Sequence, residues 1–242
     1  MLLPPGGQMK HSLLATLILT VTPVIGVLSP TPAAACAAPT SLEALVNAAD
    51  LTRKQSGPRT AINQCYGPYA ASDVFAGGPV KYQARFLFEY LGAAESEEQH
   101  SKTIEIGERY IDWYIGLDKD ARRQLEAHYR TGPSKALFST LTALEHLNKR
   151  EDVLTQLERL ADEPAFFTPR ILELWQRHLR MLVVNFKPLE VSDSRLKRLL
   201  RTNPGHKARW QFYKDCLSAL ADSTFMKSEA RRRLEELRGV GL

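Results

Sequence analysis

Residues Tyr82–Leu117 read YQARFLFEYLGAAESEEQHSKTIEIGERYIDWYIGL, and their spacing decides the fold. Ala84, Leu87 and Leu91 fall on one helical face, with Phe88 and Tyr90 beside it. Ile104, Ile111 and Ile115 recur on a second helix together with Tyr110 and Tyr114. Ile106, Trp113 and Leu117 widen that stripe beyond what a surface helix needs, so the second helix is expected near the centre of the molecule. The polar Glu95–Lys102 stretch between them is the turn.

The same period continues towards the C-terminus. Asp118 to Arg130 forms a more polar helix around Leu125, and Gly132-Pro133 separates it from the next, on which Leu137, Leu141 and Leu144 align. Val153, Leu157 and Leu160 follow, ended by Pro164. Thr168-Pro169 and Asn203-Pro204 each place a capping residue before a proline at the first helical position. They open helices carrying Ile171, Leu174, Trp175, Leu179 and Leu182, and then Trp210, Tyr213, Leu217 and Leu220. A last helix holds Ala230, Leu234 and Leu237. Upstream, Thr40 and Glu43 make a capping box for a first helix over Ser41–Lys54, stopped at Ser56-Gly57-Pro58.

No run alternates in the way a half-buried strand does; Met181-Leu182-Val183-Val184 continues a helix. The expectation is all-α, with eight or nine helices in stacked antiparallel hairpins. Tyr82 to Gly116 resembles one unit of a tetratricopeptide array: an aromatic-rich helix, a polar turn and a second helix. The Trp and Leu-Gly positions of that family are not present, and no 34-residue self-similarity follows. Either a helical solenoid or an irregular bundle satisfies the pattern. Residues 40–242 are expected to be a single helical domain, with an irregular segment at 56–82.

The N-terminus has a different character. Leu13–Leu28 is an uncharged run, preceded by Lys10 and His11 and followed by Pro32-Ala33-Ala34-Ala35-Cys36. Charged flank, short apolar core and small-residue exit are the parts of a secretory signal peptide, expected over 1–35 with a cut between 35 and 38. The run is shorter than the roughly 20 residues that a membrane-spanning helix needs. An exported product is expected, periplasmic or secreted, with a lipoprotein anchored through Cys36 as the alternative.

There are three cysteines in the chain. A cut after Ala37 removes Cys36, and a cut before Cys36 by a lipoprotein peptidase puts lipid on it. Either route leaves Cys65 and Cys216 as the pair for a disulfide, with a buried, unbridged Cys216 as the alternative.

Formal net charge is +5. From Ile171 onward there are 15 Lys and Arg against 8 Asp and Glu, whereas Gln83–Arg170 has 12 against 16. The basic half includes Arg231-Arg232-Arg233, a candidate contact for an anionic surface; nucleic acid fits poorly with export.

Histidines lack the i,i+4 pairing of a zinc site, and no serine elbow, cysteine-nucleophile signature or phosphate loop is present. No cofactor and no metal are expected. The aromatic residues Tyr66, Tyr69, Trp113 and Tyr114 are candidate contacts for a partner protein, together with the arginine trio. These features point to a non-catalytic envelope protein that presents a helical groove or end face. The alternatives are a periplasmic cell-wall-polymer hydrolase, using Glu89, Glu105 or Glu108, and a basic nucleic-acid binder if the leader is misread.

Overall fold

A computed structural model describes residues 36–184, 193–224 and 226–239, so the signal-peptide segment lies outside the described residues. Among the described residues the structure is helical, with no strand. The first helix, α1 (Leu42–Ser56), is capped by Ser41, whose hydroxyl accepts from Ala44 N (3.2 Å), rather than by Thr40. Gly57 ends it at φ 87°, a left-handed conformation that glycine adopts without strain.

Residues 58–76, expected to be irregular, fold into short helices: α2 (Pro58–Ala61), a π-helical turn (Ile62–Tyr66), α3 (Gly67–Tyr69) and α4 (Asp73–Ala76). They account for much of the excess over eight or nine helices. The π-turn has a local cause. Pro68 offers no N–H, and its ring would press on the carbonyl four residues back, so the helix widens and Gly67 N donates to Ile62 O. The wide turn directs Cys65 and Tyr66 inward, where both are buried.

Cys65 is bonded to Cys36, which corrects the expected Cys65–Cys216 pairing. Cys36 is wholly buried beside α1, with its sulfur 4.0 Å from Thr52 Oγ1. The bridge spans 29 positions and contributes about 3 kcal/mol in the chain-entropy picture. Cys216 is a free thiol on the buried face of a later helix, held among Tyr213, Leu217 and Leu220.

Then come α5 (Val80–Ser96), α6 (His100–Gly116), α7 (Lys119–Tyr129), α8 (Gly132–His146) and α9 (Arg150–Arg159). The α5–α6 and α8–α9 hairpins have the same bend. Glu98 and Asn148, fifty positions apart, both take left-handed φ (53° and 59°). The residues before them match (Glu97 φ −96°, ψ 7°; Leu147 φ −84°, ψ 5°), as do those after (Gln99 φ −80°, ψ 69°; Lys149 φ −90°, ψ 63°). In each, the residue after the left-handed position donates to a carbonyl five back: Gln99 N to Ala94 O (3.0 Å), Lys149 N to Leu144 O (2.9 Å). This is the Schellman closure of a helix. Buried positions keep the same offset: Leu87 with Leu137, Leu91 with Leu141, Tyr110 with Leu160.

The two hairpins meet where α6 crosses α8, the most closely packed pair of helices. Gly107 makes this possible. A Cβ there would lie 2.0 Å from Thr140 Oγ1. Beyond α9, a 3₁₀ turn (Pro164–Phe166) leads to α10 (Pro169–Val184), α11 (Asp193–Thr202), α12 (Pro204–Asp222) and α13 (Lys227–Gly239). The caps read from sequence are in place: Thr168 Oγ1 accepts from Ile171 N, and Asn203 Oδ1 from His206 N. One apolar core runs through these helices, and α11, with Leu196 and Leu200 buried, was not anticipated. No helix of the described residues is long and apolar enough to cross a membrane.

Candidate binding clefts

The C-terminal half of α6 divides two clefts, because Trp113 and Tyr114 point about 100° apart around the helix. On the Tyr114 side, a cleft of about 630 Å³ opens between α7, the start of α8 and the 3₁₀ turn. Its floor is Tyr114, Leu125 and Pro133, all buried; Pro164 and Ala165 form a wall, and Arg123, Glu126, Tyr129 and Arg130 the rim. Arg122 sets the width of this opening. It donates to the carbonyls of Leu117 and Ile115, pairs with Glu163 at 3.1 Å, and lays its guanidinium 5.3 Å from the centre of the Tyr114 ring. One side chain thus ties the start of α7 to the end of α6 and to the segment before the 3₁₀ turn.

Tyr114 is only 2% exposed, so it serves as floor rather than as a free contact. Burial pushes its hydroxyl acidity constant upward and keeps the phenol neutral.

On the other side, Trp113 is half-buried and donates from Nε1 to Gln83 Oε1 (3.1 Å). Gln83 in turn donates to Phe75 O (2.8 Å), stitching α4, α5 and α6 together. Beside Trp113 an open groove of about 570 Å³ carries Glu105, Glu108 and Asp112. Each of these carboxylates is engaged: Glu105 by Lys102 (2.6 Å), Glu108 by Gln156 (2.6 Å) and Asp112 by Arg159 (2.8 Å). Glu89, which with Glu105 and Glu108 makes up the three acids considered for hydrolysis, accepts from Arg85 and from Tyr66. All four act as links within or between helices.

The structure corrects the reading of Tyr66. It is fully buried, stacked on Tyr90 at 5.3 Å, edge-on to Phe86, and donates to Glu89 Oε2 (3.1 Å). The proline-induced wide turn, not a surface loop, holds it. Tyr69 is half-buried, and its hydroxyl donates to Ala37 O (3.1 Å), fastening the segment next to Cys36.

The arginine trio is likewise divided. Arg233 is 6% exposed and donates to Glu229 and to Gln176 on α10 (both 2.6 Å). Arg232 bonds Glu229 and Glu236 along its own helix. Arg231 and Arg232 are exposed whereas Arg233 is buried, so the trio does not form one basic face.

His178 lies on the apolar Ile171–Leu182 face, where the sequence predicts a satisfied core histidine rather than a ligand, and on α10 it is 2% exposed. Its Nε2 lies 2.7 Å from Glu145 Oε1, which Arg177 also reaches at 2.6 Å. Burial raises the Glu145 acidity constant, but the bonds with His178 and Arg177 more than offset this and hold the carboxyl below its usual value. An ionised carboxylate can only accept, so His178 carries its proton on Nε2. The triad locks α8 to α10. Among the described residues no group of three or more His, Cys, Asp or Glu is arranged to hold a metal ion.

Compared with known protein families, curated proteins and solved structures, the chain matches none.

Proposed function

We propose that this chain is an exported, non-catalytic helical protein of the bacterial envelope, and that it grips a segment of a partner protein in the cleft over Tyr114. The observation that carries this reading is the composition and bracing of that cleft. Two prolines and two tyrosines offer rigid apolar surface, two arginines and one glutamate stand on the rim, and Arg122 fixes the walls. Tyr and Arg are the residues that anchor protein interfaces, and preformed walls lower the entropy lost on binding. Arg123, paired on its own helix with the exposed Asp120 at 3.5 Å, gives the rim a cation that suits a segment with apolar side chains and an acidic group. The paired hairpins support a stacked helical array, an architecture that offers such concave surfaces. The leader-like N-terminus and the disulfide support export.

A photo-reactive residue placed at Tyr129 in living cells tests this. Cross-linking to one envelope protein is expected, and Arg123→Glu combined with Ala165→Trp should reduce the yield at least tenfold while leaving the circular dichroism unchanged. Cross-linking no greater at Tyr129 than at the exposed Phe212 refutes the cleft, and recovery of the protein from the cytosol with its leader attached refutes the export.

A further inference from the structure

The position of Cys36 bears on how the chain is processed, and the argument rests on the export reading above. Two maturation routes considered from the sequence remove or alkylate this residue. Cleavage after Ala37 discards it. Lipoprotein maturation transfers a diacylglyceryl group from a phospholipid to Sγ, forming a C–S thioether as the lipid's C–O bond breaks and its phosphate headgroup leaves with the thiol proton, after which that sulfur has no bond left for a disulfide.

In the fold neither outcome is accommodated. Cys36 is fully buried, its sulfur is bonded to Cys65, and the adjoining Ala37 carbonyl accepts from Tyr69. Tyr69 and Cys65 belong to the segment shaped by the Pro68 turn, and the bridge abuts Thr52 of α1 through both sulfurs (3.6 and 4.0 Å). Residues 36 and 37 are therefore built into the same packing as α1 to α3. Leader removal must leave them behind.

We infer that the signal peptidase cuts between Ala35 and Cys36, leaving Cys36 as the unlipidated first residue of the mature protein and as half of its structural disulfide. Ala33 and Ala35 supply the small residues that such a cut requires at the third and first positions before it. The reaction is hydrolysis of one peptide bond, with water providing the new carboxylate and α-amino group. The disulfide forms by exchange with an oxidised dithiol protein or glutathione disulfide. The two thiols of Cys36 and Cys65 give up two electrons and two protons, and the donor disulfide is reduced to two thiols.

The test uses the full-length precursor expressed in a bacterium with an oxidising periplasm. Protein purified from the envelope fraction is denatured in guanidinium chloride at about pH 8 with iodoacetamide present and without reduction, and analysed by intact mass and non-reducing peptide mapping. The expected result is an N-terminus at Cys36, a single carbamidomethyl group on Cys216, and one cross-linked peptide joining Cys36 to Cys65. An exported product starting at Ala38, carrying a diacylglyceryl mass, or linking Cys65 to Cys216 overturns the inference and leaves export standing. A cytosolic product that keeps its leader overturns both.

Stability measurements give a second readout on the same material. Cys36→Ser, Cys65→Ser and the double variant should lower Tm by the same amount, about 6–12 °C for a chain of this size. If Cys36→Ser leaves Tm unchanged while Cys65→Ser lowers it, Cys36 is absent from the mature fold and the inference fails.

Discussion

Gly107 offers a sharp test of how the two hairpins are joined. Replacing it by alanine in the middle of α6 should, on backbone grounds alone, stabilise the helix by up to about 1 kcal/mol. The crossing with α8 opposes this. The new methyl group would sit 2.0 Å from Thr140 Oγ1, 3.3 Å from Thr140 Cβ and 3.4 Å from Ala136 O. Thr140 is wholly buried, and its hydroxyl is held by Ala136 O at 2.9 Å, so rotating it away breaks that bond and drives the side chain into neighbouring packing. Inserting a methylene into a close-packed core typically costs about 1–3 kcal/mol. The steric cost wins, and Gly107→Ala should destabilise by about 1–2 kcal/mol net, lowering Tm by about 2–8 °C. In a Thr140→Ala background the nearest obstacle is gone, so the same substitution should be neutral or stabilising, a coupling of about 2 kcal/mol. Urea unfolding of the four proteins, with m-values checked for constancy, measures this cycle. A single Gly107→Ala variant more stable than the parent, or an unchanged effect in the Thr140→Ala background, refutes the described crossing.

Two further outcomes follow from buried titrating groups. Burial pushes the Cys216 thiol up to about 12, so the native protein should resist thiol reagents at pH 8 and yield one reactive thiol in denaturant; rapid labelling of folded protein at this position would contradict its burial. For Glu145, whose folded acidity constant is depressed, the associated stability is present above about pH 4.3, the unfolded value, and is lost as pH falls through the folded one. Glu145→Gln should therefore cost about 1–2 kcal/mol at pH 7, and the gap from wild type should hold down to about pH 5 and narrow as pH falls below about 4.3; a gap that widens over that range refutes the triad.

Much of the helix plan is readable without coordinates because it is written in local chemistry. The caps at Thr168 and Asn203 precede prolines, and the apolar stripe of α6 was wide because that helix packs against both α5 and α8. The relation between the hairpins was harder to see. Their shared bend depends on a left-handed residue, and Glu98 carries no glycine or asparagine signature, unlike Asn148. The buried residues that correspond differ in size, as with Gly107 and Leu157, so a fixed-period comparison finds little. Tyr66 was misread for a related reason: Gly67-Pro68 looks like a turn exposed to water, whereas the chain absorbs the proline by widening one helical turn. The Cys36–Cys65 bridge is hard to see in the sequence because Cys36 adjoins the leader, where the local motif points to removal or lipidation and leaves Cys65 and Cys216 as the pair. For the clefts, the sequence names Trp113 and Tyr114 but not Arg122, whose partner Glu163 lies 41 positions away; it places His178 in the core without showing its partner Glu145, 33 positions away.

The matched hairpins also bear on cooperativity. Each closes on its own six-residue Schellman bond, and their principal junction is the α6–α8 crossing, notched at Gly107. In a molecule assembled from units that contact mainly their neighbours, all-or-none unfolding survives only while the junction is worth more than the difference in stability between the units. Weakening that junction well beyond the roughly 1–2 kcal/mol expected of Gly107→Ala should therefore do more than lower a midpoint: it should split one transition into two, with the disulfide-tethered half outlasting the other.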